Sequence, residues 1–547
     1  MQKNTILYTN KNVLLNFLEV NMSVIAKNPI LAGFYPDPTF LAVGDDYYIV
    51  NSTFSFFPGL PVLHSKDLAH WEQIGNILDR DSQLPLKNSG HSRGLFAPVI
   101  RYHEGKYYAI CTNVSHGNNF IVVADSIEGP WSEPYYLEDA DGIDPSLFFD
   151  DDGRCYYCGT HPNPDGVKYN GDWYIYVKEL DLKTMKLVGE HKNVWNGSMR
   201  NVIWPEGPHI YKKDGYYYIM HAEGGTGPDH CVTICRSKSV WGPYENYPKN
   251  PILTHRHLGK DYPIQYVGHG DIIETSNGEW YMVMLAVRPL EGYTTMGRET
   301  FLAKVTWEDG WPVVNPGVGM LTDEVEMDLP EWNPLTDPNS YTSRTKGFTM
   351  PPFGDKKYDF SKMEKLGHEF LLLRNPKDKM YELSNDGLKL NYDAKTIIDE
   401  DEVSFVSIRQ QHHYFDVTTE LAVDSLKNNY AAGITVLQNN LYNIRIEAKN
   451  EMINAVLCQD GKDELIGSVA INEVVKDNVV KLTISIDGLI AKMYAGDKSL
   501  GEASVKNLST EVAGGFVGCV IGLYATANGT CTQDYATFKS LEYVVRK

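Results

Sequence analysis

The chain has 547 residues, too many for one ordinary core, so two domains are expected. With 71 acidic against 50 basic residues its formal charge is −21, which argues against a binder of nucleic acid phosphates and suits a neutral or cationic partner. Aromatics make up 12% of the chain, with 35 Tyr and 46 Gly, which favours strands and tight turns, and no 18-residue apolar run argues for a membrane span.

Residues 1–27 are read as an N-terminal extension, with Met22 a candidate start. Met1 to Val20 carries Lys3, Lys11 and Glu19 and lacks a clean apolar core and a small-residue cleavage site, so it is not read as a signal peptide. The eight cysteines lack the density and spacing of a disulfide-stapled domain. Cys155-Tyr-Tyr-Cys158 has the CxxC spacing of a metal or redox site but lies in an aromatic, strand-like run and reads as packed strand. Free thiols and no export signal point to the cytoplasm.

Between residues 28 and 320 one strand pattern recurs five times. A small or charged turn precedes paired aromatics, whose equivalent members are Tyr47, Tyr107, Tyr156, Tyr217 and Trp280, at intervals of 60, 49, 61 and 63 residues. A second element follows in several units: His64 to Trp71, Ala124 to Trp131 and Arg236 to Tyr244. Each unit can supply a four-stranded blade, and five of them in a ring make a five-bladed β-propeller. Residues 321–355, rich in Pro, read as a linker hugging the surface. Beyond it, runs such as Val480-Lys-Leu-Thr-Ile-Ser-Ile486 alternate with period two, and 356–547 read as a β-sandwich of the jelly-roll, concanavalin-like kind, making the fold class all-β.

Stepping back 10 to 12 residues from each equivalent aromatic reaches Asp37, Ala97, Asp144, Glu206 and His269. In a propeller these positions converge at one mouth of the central tunnel. Three acids gathered there repel one another if all are ionised, so their pKa values must separate. A protonated acid can then donate to a leaving group while an ionised one takes a proton from water, the requirement of glycoside hydrolysis. For any one of these acids, beside Pro or Gly, a turn-capping role is the plainer reading. Three in register are not explained by turn chemistry.

These segments resemble glycoside hydrolase family 43, in its two-domain β-xylosidase and α-L-arabinofuranosidase branch. The resemblance runs through Tyr35-Pro-Asp-Pro38, Asn51-Ser-Thr-Phe-Ser-Phe-Phe-Pro-Gly59, Asp144-Pro-Ser-Leu-Phe148, Glu206-Gly-Pro-His209, Gly268-His-Gly270, Gly297-Arg-Glu-Thr300 and Gly514-Gly-Phe-Val-Gly518. It implies Asp37 as general base, Glu206 as general acid, and Asp144 as the residue that orients the acid and tunes its pKa. It also implies inversion at the anomeric carbon, with the Asp37 and Glu206 carboxyls roughly 6.5 to 9.5 Å apart. Arg298 would bind hydroxyls of the terminal sugar, the other reading being a salt bridge to Glu299 or another blade. His269 resembles a histidine that in some members sits over a structural calcium ion and its waters on the propeller axis; the other reading is an interior histidine holding the blades together. No cofactor is required for the reaction itself. Phe54 and Phe516 resemble walls of the sugar pocket, the other reading for each being plain core. Where several members of the branch carry Trp-Ala-Pro-Asp, this chain reads Phe96-Ala-Pro-Val99, which tilts the expectation slightly from xylose towards arabinofuranose.

The expected activity is therefore an exo-acting, inverting hydrolase releasing terminal L-arabinofuranose, D-xylose or both from short oligosaccharides of plant polysaccharides. The expected partner is a small oligosaccharide or glycoside, with no nucleic acid and no membrane; a homo-oligomer stays open. A non-hydrolytic carbohydrate-binding propeller is the competing reading, and it has no need of an acid on each of three blades. Phosphorolysis would need several pocket Arg or Lys to hold phosphate, where only Arg298 stands out.

Overall fold

Five turns of one kind set the architecture. Gly44, Gly105, Gly153, Gly215 and Gly278 lie between the first and second strands of five successive sheets, with φ of 62°, 82°, 82°, 72° and 83°, the left-handed region that favours glycine. The aromatic pair that follows each turn enters the second strand and packs towards a neighbouring blade. In this computed structural model, which describes residues 23–345, 354–427 and 429–546, each of the five sheets has four antiparallel strands in sequence order. Their first strands are Thr39–Val43, Val99–His103, Ile143–Phe149, Glu206–Lys213 and Gln265–Glu274. Each packs against the next, and the fifth against the first, which closes a five-bladed propeller.

The second recurring element joins third and fourth strands. Its terminal aromatics Trp71, Trp131 and Tyr244 are buried and anchor the outer edge of their blades. Cys155 and Cys158 lie in the strand Cys155–Pro162 as buried free thiols, like the other cysteines except the exposed Cys531.

Two expected boundaries are corrected. Val24–Lys27, counted with the extension, pairs antiparallel with Glu324–Met327, and Val24, Ala26, Val325 and Met327 are buried between them and the blades. The start of the expected linker therefore belongs to the propeller, together with the buried Leu321, Leu329 and Trp332. The Asn28 side chain fixes this seam, donating to the Leu302 carbonyl and accepting from the Leu302 N–H, both at 2.8 Å. The linker character persists further on, where Leu335 is exposed. The extension before residue 23, with the candidate start at Met22, and residues 346–353 of the linker lie outside the described residues.

From Lys356 onward the chain forms a sandwich of two antiparallel sheets. One sheet takes its edge strand from the propeller: Phe56–Phe57, in the loop between the second and third strands of blade 1, pairs with Leu371–Leu373. A single apolar core accordingly runs from Val50, Leu60 and Val62 of the propeller to Leu372, Ile408 and Leu523 of the sandwich. The sandwich is fastened to the face of the propeller that carries the axial carboxylates.

Candidate active site

The strand ladders break where the axial residues sit. Register shifts fall between Ile143 and Ser146, between Glu206 and His209, and twice between Gln265 and Asp271. Such irregularities bend a strand and re-aim a side chain. Asp37, Asp144 and His269 have φ of 50°, 52° and 51°, uncommon for residues with a Cβ, and Glu206 precedes Gly207 at 56°. Four blades thus use one left-handed kink to turn a side chain into the tunnel mouth.

The kinks open onto one cavity of about 510 Å³ lined by all five axial residues, Asp37, Ala97, Asp144, Glu206 and His269. Arg298, Phe54, Phe96 and Phe516 line it too, so every residue expected at the site is gathered there. Arg298 Nη1 donates to Asp37 Oδ1 at 2.5 Å, and Ser52 Oγ donates to Asp37 Oδ2 at 2.6 Å. The alternative pairing with Glu299 does not form, because Glu299 is held by both Nε and Nη2 of Arg288 at 2.7 and 2.8 Å. The Gly207 N–H donates to Asp144 Oδ2 at 3.1 Å, linking the acid of blade 3 to the backbone beside Glu206.

Three carboxyls in one hollow are driven apart in proton affinity. Burial acts to raise Asp37, but Arg298, His269 and the Ser52 hydroxyl outweigh it and hold the carboxyl below its ordinary value. Burial and the charge of Asp37 leave Asp144 raised to about 6, despite the opposing pull of His269, the Gly207 N–H and Arg298. Glu206 is pushed furthest, well above the ordinary carboxylate range, by burial and then by the charges of Asp144 and Asp37, with only Arg298 opposing. The arrangement therefore holds an ionised acid opposite a protonated one.

The sandwich supplies one wall. Gly297 and Gly518 touch backbone to backbone, since a Cβ on Gly297 would come within 2.7 Å of Gly518 Cα and one on Gly518 within 2.1 Å of the Met296 carbonyl. Gly297 immediately precedes Arg298 and Gly518 follows Phe516 by two residues, so this contact brings the two side chains' segments together: Arg298 Nη2 donates to the Phe516 carbonyl at 3.3 Å. The Phe516 N–H donates to Ser92 Oγ at 2.8 Å, and its ring stacks on Phe54 at 6.0 Å. The Arg298 guanidinium lies 5.6 Å from both ring centres.

The calcium ion implied on the axis does not fit the residues found there. Two residues past His269, Asp271 accepts from Arg101 Nη1 (3.1 Å), Thr39 Oγ1 (2.9 Å), the Phe40 N–H (2.9 Å) and Tyr211 Oη (2.6 Å). Arg101 Nη2 also donates to His209 Nδ1 at 3.0 Å. A guanidinium already neutralises the one axial carboxylate beneath the site, so a further cation would meet its charge. Among the described residues, no group of three or more His, Cys, Asp or Glu is arranged to hold a metal ion.

Sequence reasoning leaves Trp173 and Trp204 unassigned, since they could stack on further sugars but most Trp in a β-rich chain simply pack, and it misses Arg93 and Thr226; all four line the cavity. Trp204 had a usable signal, lying two residues before Glu206 on the same kink. Its indole covers Gly225, where a Cβ would come within 2.7 Å of the ring. Trp173 merely begins a strand and carried no such signal.

Comparison with known proteins follows the same division of the chain. The pattern of "Glycosyl hydrolases family 43" matches residues 26–312, and that of the "Beta xylosidase C-terminal Concanavalin A-like domain" matches 357–544. A xylosidase/arabinosidase of Butyrivibrio fibrisolvens is 49% identical over 94% of this chain and 98% of its own. A non-reducing end alpha-L-arabinofuranosidase of Bacteroides ovatus is 36% identical over 97% of both. Among solved structures, the xylan beta-1,4-xylosidase of Bacillus halodurans is 33% identical with a TM-score of 0.84, covering 95% of this chain and all of that one.

Proposed function

The chain belongs to glycosyl hydrolase family 43, and we propose that it is an exo-acting, inverting hydrolase of terminal L-arabinofuranosyl or D-xylosyl groups on short plant-polysaccharide oligosaccharides. The observation that carries this reading is the gathering of three carboxyls in one cavity with unequal surroundings: Arg298 and Ser52 hydrogen-bond Asp37 and favour its ionised form, while burial and the neighbouring Asp144 and Asp37 favour the protonated form of Glu206. The names of the relatives in both sugar classes support the choice of substrate.

In this reading Asp37 takes a proton from a water molecule, whose oxygen attacks the anomeric carbon from the side away from the leaving group. Glu206 gives its proton to the departing glycosidic oxygen, so that bond breaks with the electron pair going to a neutral alcohol. Asp144 keeps the acid protonated through its charge and steadies its position through the Gly207 N–H. Arg298 bridges sugar hydroxyls and Asp37, with Phe54, Phe96 and Phe516 as apolar walls and His269 as a further sugar contact. A pocket walled on one side by the sandwich admits a chain end, which supports exo action. In this reading Arg101 supplies the cation beneath the site, and none of these steps is routed through a metal. Cytoplasmic action on imported short substrates belongs to the same reading, supported by the buried free thiols.

The test is nitrophenol release from aryl α-L-arabinofuranoside and aryl β-D-xylopyranoside by the native protein and by Asp37→Ala and Glu206→Ala. Loss of roughly 10² to 10⁴ in kcat/KM is expected for Asp37→Ala on either active substrate. Turnover untouched by both substitutions would leave a carbohydrate-binding propeller as the better account.

A further inference from the structure

A histidine that no step above uses lies directly behind Glu206. His230 precedes the third strand of blade 4, Cys231–Ser237, and its side chain is wholly buried. Its Nδ1 lies 2.9 Å from the carbonyl oxygen of Tyr266, at the start of the inner strand of blade 5. A carbonyl can only accept, so Nδ1 carries the hydrogen and Nε2 of the neutral ring presents a lone pair. That Nε2 is buried with no hydrogen-bond partner among the described residues. The group it faces is Glu206, whose Oε1 lies 3.8 Å away.

The placement is built. A Cβ on Gly268 would fall 2.3 to 2.5 Å from three atoms of the imidazole, so the ring occupies space that only a glycine leaves. The motif Gly268-His-Gly270 thus provides an axial side chain at His269 and, at Gly268, a seat for His230. Burial keeps this imidazole neutral by lowering its pKa to about 4, with His269 and Arg298 acting in the same direction and the Tyr266 carbonyl and Asp37 opposing. It therefore does not compete with Glu206 for the proton. A lone pair attracts a protonated carboxyl and repels an ionised one, and hydrogen bonds in catalytic sites are often long in a ligand-free structure.

We propose that His230 is a positioning residue for the general acid: its neutral Nε2 accepts a hydrogen bond from the protonated Glu206 carboxyl, which holds the acid in its proton-donating form. No proton is transferred to the imidazole. The carboxyl carries one proton, so it donates to Nε2 while the site is empty and turns to the glycosidic oxygen once substrate is bound; transfer there leaves Glu206 ionised, and its reprotonation after product leaves restores the contact. Asp144 and Asp37 favour the same protonated form through charge, and Arg298 opposes it.

This inference rests on Glu206 being the general acid, and the experiment separates the two. In the full chain, His230→Asn keeps an amide N–H for the Tyr266 carbonyl but places nothing at Nε2, whereas His230→Gln retains an acceptor oxygen near that point. For His230→Asn the basic limb of kcat/KM is expected to move down by about one pH unit, with a loss of about tenfold on a phenyl glycoside and little on the dinitrophenyl glycoside, whose departure needs no proton. His230→Gln should recover most of both effects. Equal losses on the two leaving groups with an unmoved limb would make His230 a packing residue and overturn the proposal. If the Asn variant does not fold, the Gln variant decides, since an amide oxygen is a weaker acceptor: a smaller downward shift supports the proposal and none overturns it. If Glu206→Ala itself shows no dependence on leaving group, the reading of Glu206 fails first; if it does and His230→Asn does not, only the role of His230 falls.

Discussion

Asp37 and Glu206 share one cavity, Glu206 being the more exposed of the two, and what separates their proton affinities is the distribution of charge around each. The Arg298 guanidinium lies on Asp37, while Glu206 looks across at Asp144. Asp144→Asn removes the larger of the two charges that raise Glu206, so its pKa falls and the basic limb of kcat/KM should move to lower pH, read from a pH profile on an aryl glycoside. Arg298→Ala removes the main group holding Asp37 down, so the acidic limb should move to higher pH alongside a loss of activity. Stability carries the same sign. A carboxyl whose folded pKa lies above its unfolded value stabilises fully below the unfolded value and loses that contribution as pH rises through the folded one. Glu206→Gln should therefore gain thermal stability over the native protein progressively as pH rises from the unfolded towards the folded value, and hold the gain beyond it, by about 1.4 kcal/mol for each unit of the shift, in melting curves from pH 4 to 8. The three acids were legible because a sequence repeat places them in register. His230 and Trp173 were not, because their importance comes from a neighbouring blade that no period records, whereas Trp204 could have been assigned from its place two residues before Glu206.

Between elements, the most consequential contact joins the propeller loop around Phe54 to the sandwich. Phe56–Phe57 is too short to show a period, and its partner strand Leu371–Leu373 lies some 315 residues later, so nothing local announced the pairing. The same holds for Val24–Lys27 and Glu324–Met327, which read as extension and linker because each half lacks a partner nearby. The blades were legible because Gly and the aromatic pair recur at each hairpin. Arg374 carries much of the junction: it is fully buried, its N–H donates to the Ser55 carbonyl at 2.8 Å, and its guanidinium donates to the carbonyls of Ser89 (2.6 Å) and Asp401 (2.8 Å). Hydrogen bonds from a charged group contribute about 1.5 to 3 kcal/mol each. Arg374→Met should lower stability by on the order of 3 kcal/mol in urea titration, with KM rising because Ser89 and Ser92 belong to the loop that seats Phe516.

At the scale of the molecule, one apolar core crosses the boundary between the two domains, and a strand of one is an edge of the other's sheet. Calorimetry should therefore record one unfolding transition; two separated transitions would contradict a shared core. Arg101 on the axis leads to a companion expectation, that removal of divalent ions with a chelator leaves both the melting temperature and activity unchanged. The central claim is that the ring of blades sets an ionised Asp37 and a protonated Glu206 on either side of a sugar with room for water between. Proton NMR of the first sugar released from the active aryl glycoside, recorded before mutarotation, tests it most directly. The account predicts the anomer opposite to that of the substrate, and first appearance of the same anomer would contradict it.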